Sequence, residues 1–312
     1  MIQVKVFRYL MWPFLLVAVA LSSCRHNNAA DPATGRKKIV TTTSLIKDAV
    51  LNITGNRVEV ISLMGPGVDP HLYKATQGDL DKLLHADLIV YNGLHLEGKM
   101  SEVLEKLSHR KPVYAMASNL PDSLLRRVPG FENTFDPHIW FDVKLWSMAV
   151  SNLAEYLQEW DEQNAQHYKS NAAAYAAQLD SLHHWVIRSV DSIPPAQRVL
   201  ITAHDAFGYF GRAYQAEVRG LQGISTLSEF GLRDITGLAD FILSRKIKAV
   251  FVETSVPEKS IRALLDGCRQ RGWNVQLGGS LYSDALGAEG TPEGTYIGMV
   301  KANVRTIVRA LK

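Results

Sequence analysis

Two cysteines in 312 residues, Cys24 and Cys268, are too few for a disulfide framework or a cysteine-rich structural zinc site. Excess charge is also scarce. Of the net +3, several positives (Arg25, Arg36, Lys37, Lys38) fall in one short stretch, so the body is near neutral and carries no nucleic-acid footprint. Catalytic signatures are missing: there is no His-Glu-x-x-His, no Gly-x-Ser-x-Gly and no phosphate-cradling glycine loop, which excludes an ATPase. The apolar run Leu10 to Leu21 falls short of the ~20 residues that span a bilayer. What remains is ordinary globular composition, 46% hydrophobic and 21% charged, in a chain long enough for one large or two small domains.

The N-terminus reads as an address. Lys5 and Arg8 precede the apolar run, which ends in Leu21-Ser22-Ser23-Cys24. That order fits a secretory leader, and Leu, two small residues and Cys resemble the bacterial lipobox, in which the cysteine is lipidated. An ordinary leader with an unrelated Cys24 is the plain alternative. Arg25 to Gly35 is polar and reads as a tether. Residues 1–23 are thus assigned to a lipoprotein signal and 24–37 to a tether, placing the chain outside the cytoplasm, lipid-anchored to a bacterial membrane.

From Lys38 short β-branched runs alternate with helical stretches, which predicts an α/β fold with mostly parallel sheets. Between Pro137 and Pro194 there is neither Gly nor Pro. Within that stretch Tyr175, Leu179, Leu182, Val186 and Val190 recur at helical spacing, predicting a long helix from about Gln163 to Asp191, closed by Pro194-Pro195. The α/β alternation then resumes. The expected architecture is a lobe at 38–160, a linking helix at 161–192 and a second lobe at 193–312.

Two segments rhyme: Asp69-Pro70-His71-Leu72-Tyr73 and Asp136-Pro137-His138-Ile139-Trp140. Proline stiffens the backbone ahead of each imidazole and the Asp can cap or orient neighbours, which suits a ligand held on a loop. Two turns with unrelated histidines is the plain alternative. His204 follows the strand Arg198 to Thr202, at the carboxyl end where open α/β sheets bind ligands. Asp284 lies after another strand and a Gly-Gly pair expected to turn. Three imidazoles and a carboxylate, two before the long helix and two after it, make a sensible cation site. The other histidines (His26, His85, His95, His109, His167, His183, His184) are expected to be non-ligands, and Cys268 a small buried apolar residue.

These motifs, with His204-Asp205-Ala206-Phe207-Gly208-Tyr209-Phe210 and Tyr282-Ser283-Asp284, resemble the zinc/manganese-binding proteins of ABC importers, solute-binding protein family 9, in the TroA-like branch. Phe251-Val252-Glu253-Thr254-Ser255 and Gly290-Thr291-Pro292-Glu293-Gly294-Thr295-Tyr296 are similar to that family too. The resemblance covers Lys38 to the end. It implies two lobes joined by one rigid helix, ligands at His71, His138, His204 and Asp284, small tilts instead of wide hinge motion, and Glu253 close to the site. It also implies delivery to an ABC permease by a monomeric chain that is not an enzyme. The expected cargo is Zn²⁺, favoured by three nitrogens, with Mn²⁺ next. The stretch Ser118 to Phe135 has none of the histidines that dedicated zinc members carry there, and dedicated manganese members commonly have a carboxylate where His204 stands.

Two rivals use the same residues. A secreted zinc hydrolase would need an open coordination position and a base such as Asp69, Asp136 or Asp205. A surface adhesin would use the metal only structurally. Because an imidazole must be neutral to ligate, affinity is expected to fall as pH drops through about 6.5.

Overall fold

The computed structural model describes residues 35–312 except Pro129 and Glu132, so the leader, Cys24 and His26 lie outside the described residues. Four parallel strands form the first lobe's sheet: β1 (Lys38–Thr41), β2 (Glu59–Ser62), β3 (Leu88–Tyr91) and β4 (Val113–Ala115), in the order β2-β1-β3-β4. The crossovers carry α1 (Ser44–Thr54), α2 (Gln77–His85) and α3 (Ser101–Ser108). Thr43 caps α1, and Thr76 with Asp79 forms a capping box on α2, so each helix starts where a polar side chain satisfies its free N–H groups.

The middle of the chain is a helical pair, α4 (Val143–Trp160) and α5 (Ala165–Asp191), split by a 3-10 turn at Glu162–Asn164. Asp142 stops the preceding loop and caps α4 by accepting from the amides of Lys144 and Leu145. Helix α5 has 27 residues, about 40 Å. It buries Tyr168, Tyr175, Leu179, Leu182, Val186 and Val190, and packs on α4 and α1. His183 shares that buried stripe, its Nδ1 lying 3.2 Å from the Tyr214 hydroxyl.

The second lobe holds β5 (Val199–His204) paired with β6 (Glu217–Gln222), and β7 (Ala249–Glu253) paired with β8 (Gln276–Leu281), both parallel. Around them lie α6 (Gly208–Tyr214), α7 (Leu232–Arg245), α8 (Lys259–Gln270) and α9 (Tyr296–Leu311), the last against α5. Neither β6 nor α7 was foreseen. β6 has one buried residue, and α7 begins on Gly231 and contains Gly237, so neither has a clean periodicity. The Gly278-Gly279 pair does not turn but lies inside β8. Gly278 is the extra residue of a bulge, and a Cβ there would meet the Phe251 ring at 2.6 Å. Among the described residues no helix is long and apolar enough to cross a membrane.

Alternation along the strands divides the interior into three layers. Ile39, Leu88 and Val90 of the first lobe and Leu200 and Phe251 of the second face one continuous core, which includes α4, α5 and α9. Their neighbours Val40 and Ile89 face an outer core of the first lobe, and Val199, Ile201, Val250 and Val252 an outer core of the second. A shared core shears at high cost, because close-packed side chains have discrete arrangements. Buried hydrogen bonds cross it: Trp140 Nε1 donates to the Ser283 carbonyl at 2.9 Å, and Tyr296 Oη to the Trp140 carbonyl at 2.7 Å.

Candidate metal centre

The four side chains singled out by sequence meet at the carboxyl ends of the strands. His71 sits on the loop after β2, and His138 on the loop leading to α4. His204 ends β5, and Asp284 follows β8. One donor atom from each lies within 4.8 Å of all the others, and all four residues are buried. His71 Nε2 is 3.3 Å from His138 Nε2. Asp284 turns Oδ1 to His138 Nε2 and Oδ2 to His204 Nε2, each at 3.5 Å. Burial without partners is costly, yet His204 Nε2 and Asp284 Oδ1 find no hydrogen bond. Such orphaned atoms facing one point are what a cation would satisfy.

The rhyme in sequence is a rhyme in structure, up to a point. In both motifs the Asp Oδ1 accepts from the amide of the His two residues on, 2.8 Å for Asp69 and 3.0 Å for Asp136, forming an Asx turn. Asp136 Oδ1 also reaches His138 Nδ1 at 2.7 Å, and its Oδ2 accepts from Arg126 at 2.7 Å. Asp69 leaves the His71 ring alone. His204 is backed by Glu253, whose Oε1 accepts from the His204 amide at 2.8 Å. Glu253 Oε2 lies 2.6 Å from His204 Nδ1, close but out of hydrogen-bond alignment. Ser255, tied to Ser283, donates to Asp284 Oδ2 at 3.2 Å.

Electrostatics separates the rings. Burial pushes His71 down to about 3, so it is neutral at physiological pH. Burial opposes charge on His138 too, but Asp136 and Asp284 outweigh it and lift that ring to about 9. His204 moves well up for the same reason, with Glu253 and Asp284 prevailing over burial. Asp284 is held well below the usual carboxylate range by His204 and His138, against its own burial.

A family model described as zinc-uptake complex component A, periplasmic (ZnuA), matches residues 39–310. The chain belongs to this family. It is 48% identical over 304 residues to the manganese-binding lipoprotein MntA of Bacillus subtilis (strain 168), covering 97% of this chain and 99% of that one. It is 51% identical to the zinc-binding protein TroA of Treponema pallidum (strain Nichols), covering 89% of this chain and 90% of that one. The structure of periplasmic TroA matches with a TM-score of 0.86, covering 89% of this chain and 99% of that one. Fe(III)-bound YtgA of Chlamydia trachomatis matches with a TM-score of 0.80 at 28% identity, covering 88% and 98%.

ZnuA-family proteins are the extracytoplasmic solute-binding components of metal ABC importers, not enzymes, and their partner is a permease. The hydrolase reading therefore falls. Of its three candidate bases, Asp69 is bonded to the His71 amide and Thr226, and Asp136 is engaged by Arg126 and His138, while Asp205 lies 3.9 Å from Arg126. The two-lobe fold with its long helix is that of TroA.

Four contributors near the site, Arg126, Glu97, Asn92 and Thr226, were not read from sequence. Arg126 bonds Asp136 and lies over Gly208, where a Cβ would sit 1.0 Å from its Nη1, with Asp205 3.9 Å from Nη2. Glu97 is buried, its carboxylate accepting from the Thr42 hydroxyl and the Asn92 amide at 2.7 Å; burial raises its pKa. Asn92 in turn donates to the Pro137 carbonyl at 3.0 Å, fixing the second Asp-Pro-His loop. The fourth, Thr226, donates to Asp69 on the other lobe's loop at 2.6 Å. No local motif marks these residues: Glu97, Asn92 and Thr226 act on partners distant in the chain, and the Arg126–Asp136 pair spans an irregular loop.

Proposed function

We propose that this protein captures one divalent transition-metal ion with His71, His138, His204 and Asp284 and delivers it to the permease of its importer. The observation that carries the reading is four buried donors within 4.8 Å of one another. Their spacing is compatible with zinc: a tetrahedral ion with bonds of about 2.0–2.1 Å needs donor separations of about 3.3–3.4 Å, against 3.3 Å between the His71 and His138 Nε2 atoms and 3.5 Å from each Asp284 oxygen to its own imidazole. Asp284 offers both oxygens, which gives Mn²⁺ a route to higher coordination. The relatives' names divide between zinc and manganese, so the donor set carries the choice. Zn²⁺ is the favoured cargo and Mn²⁺ the second. Glu253 and Asp136 hold the His204 and His138 rings from behind, the usual support for a metal-bound imidazole.

The chain functions as a monomer anchored through lipidated Cys24, with lobes at 38–160 and 193–312 around the linking helix. Relatives named as lipoproteins support the anchor, and the shared core supports small tilts over wide hinging. An adhesin with a merely structural ion would not need a permease. Deletion that leaves metal uptake intact would favour it. The central test is titration of purified, metal-stripped protein with Zn²⁺ and Mn²⁺. One ion per chain is expected, with at least 100-fold weaker binding in His138→Ala; unchanged affinity in that variant refutes the assignment.

A further inference from the structure

The three histidines are not held alike. His138 has Asp136 hydrogen-bonded behind its ring, and His204 has the Glu253 carboxylate 2.6 Å from Nδ1, paired by charge though out of hydrogen-bond alignment, whereas the buried Nδ1 of His71 has neither a hydrogen bond nor a carboxylate against it. What fixes His71 is its amide, bonded to Asp69 Oδ1 at 2.8 Å. The other oxygen of Asp69 accepts from the hydroxyl of Thr226 at 2.6 Å, a residue of the opposite lobe. Thr226 stands in the loop between β6 and α7, whose base is tied to the far side of the site. The amide of Asp205, next to His204, donates to the Gln222 carbonyl at 3.1 Å, and Gln222 Nε2 donates to the Thr226 and Ser228 carbonyls at 2.6 Å. Hydrogen bonds therefore run from the end of β5, through Gln222, Thr226 and Asp69, to the backbone of His71. Two close approaches accompany them across the cleft: a Cβ added at Gly98 would lie 3.8 Å from the Leu227 side chain, and one added at Gly67 would lie 3.3 Å from the Thr254 carbonyl oxygen.

We propose that the Asp69–Thr226 hydrogen bond is the latch that holds His71 on the ion, making Thr226 a positioning residue that sets the rate of metal release. The inference rests on the metal-binding reading above. The His138 loop also takes bonds from the second lobe, Tyr209 Oη donating to the Asp136 carbonyl at 2.9 Å and Trp140 Nε1 reaching the Ser283 carbonyl at 2.9 Å, but the groups behind the His138 and His204 rings, Asp136 and Glu253, come from their own lobes. The His71 ring has no such partner and its Asp69 is held by Thr226 across the cleft, so separating the lobes at this loop loosens His71 while the other two rings keep theirs. Parting this hydrogen bond loosens His71 without shearing the common core.

The test is the rate of Zn²⁺ release from the full mature chain into excess chromogenic chelator, with association measured separately. A hydroxyl–carboxylate bond of this kind is worth about a 10- to 100-fold change in rate. Thr226→Val and Thr226→Ala are expected to release Zn²⁺ at least 10-fold faster, with association changed less than 3-fold and the melting temperature of the metal-free protein unchanged. Thr226→Ser, which keeps the hydroxyl, is expected to restore slow release. One bound ion released at the wild-type rate from Val and Ala variants overturns the latch and leaves the metal site standing, as does equal acceleration in all three. A wild-type protein that binds no ion removes the site itself and the latch with it.

Discussion

Glu253→Gln is a sharp probe of how the site tunes affinity, because it removes one charge and little volume. In the protein as folded, Glu253 is buried, with one oxygen on the His204 amide and the other 2.6 Å from Nδ1. An ion on Nε2 would lie about 6 Å from that carboxylate, adding the metal bond to the ring and the contact behind it. At an effective dielectric of about 20, one unit charge at that distance is worth about 3 kcal/mol. The gain on binding is one charge, not two, because His204 carries a proton in the metal-free site, its pKa held well up by Glu253 and Asp284 against burial. Metal therefore replaces +1 by +2. Allowing for relaxation of the amide, Zn²⁺ affinity should fall 10- to 100-fold, the range for losing such a support. The pH dependence should change as well. With His138 titrating at about 9 and His204 also raised, wild-type binding displaces protons from both rings as pH falls. The logarithm of its affinity should therefore rise more steeply with pH than that of Glu253→Gln, which loses the carboxylate that favours the His204 proton. The expectation of a decline only below about 6.5, drawn from a free imidazole, thus shifts to higher pH. Chelator-competition titrations across this range provide the assay. A variant within 3-fold of wild type and with the same slope would refute the argument.

Asp48 is half-buried beside Tyr175, and desolvation raises it to about 6 from 3.8, against hydrogen bonds from Tyr296 and Tyr175. A carboxyl raised on folding contributes stability that is present below pH 4 and lost as pH climbs through 6, a difference of up to about 3 kcal/mol. Asp48→Asn should therefore gain on wild type between pH 4.5 and 7.5 in urea unfolding; a constant difference across that range would be inconsistent with this. Gly208→Ala would place a methyl group on the Arg126 guanidinium. Losing the bond to buried Asp136 should lower stability by about 1–3 kcal/mol and weaken Zn²⁺ binding, and wild-type values in both measurements would show that Arg126 swings aside freely. Cys24→Ala should release the protein from the membrane fraction without changing its affinity for Zn²⁺, as read by fractionation and titration; retention in the membrane would argue against lipidation at Cys24.

Much of the architecture was legible because period and punctuation survive in sequence. Tyr175, Leu179 and Val186 mark the buried stripe of α5, Pro194 stops the chain beyond it, and α9 runs Tyr296–Leu311 as its pattern predicts. β6 and α7 escaped because charges and glycines break their periodicity. The paired Asp-Pro-His motifs, His204 and Asp284 stood out because turn chemistry and strand ends are local signals.

The sequence by itself determined the residue types able to hold a cation, the loops that carry them and the helix dividing them. Only the tertiary structure decided that four side chains from both lobes converge on one point, that Asp136 turns to its own histidine while Asp69 turns to Thr226, and that buried carboxylates raise two of the rings and burial keeps the third neutral. The reason is range. Periodicity and capping act over a few residues and are written in adjacent positions, whereas burial, charge and cleft-crossing hydrogen bonds depend on which distant segments the common core brings together.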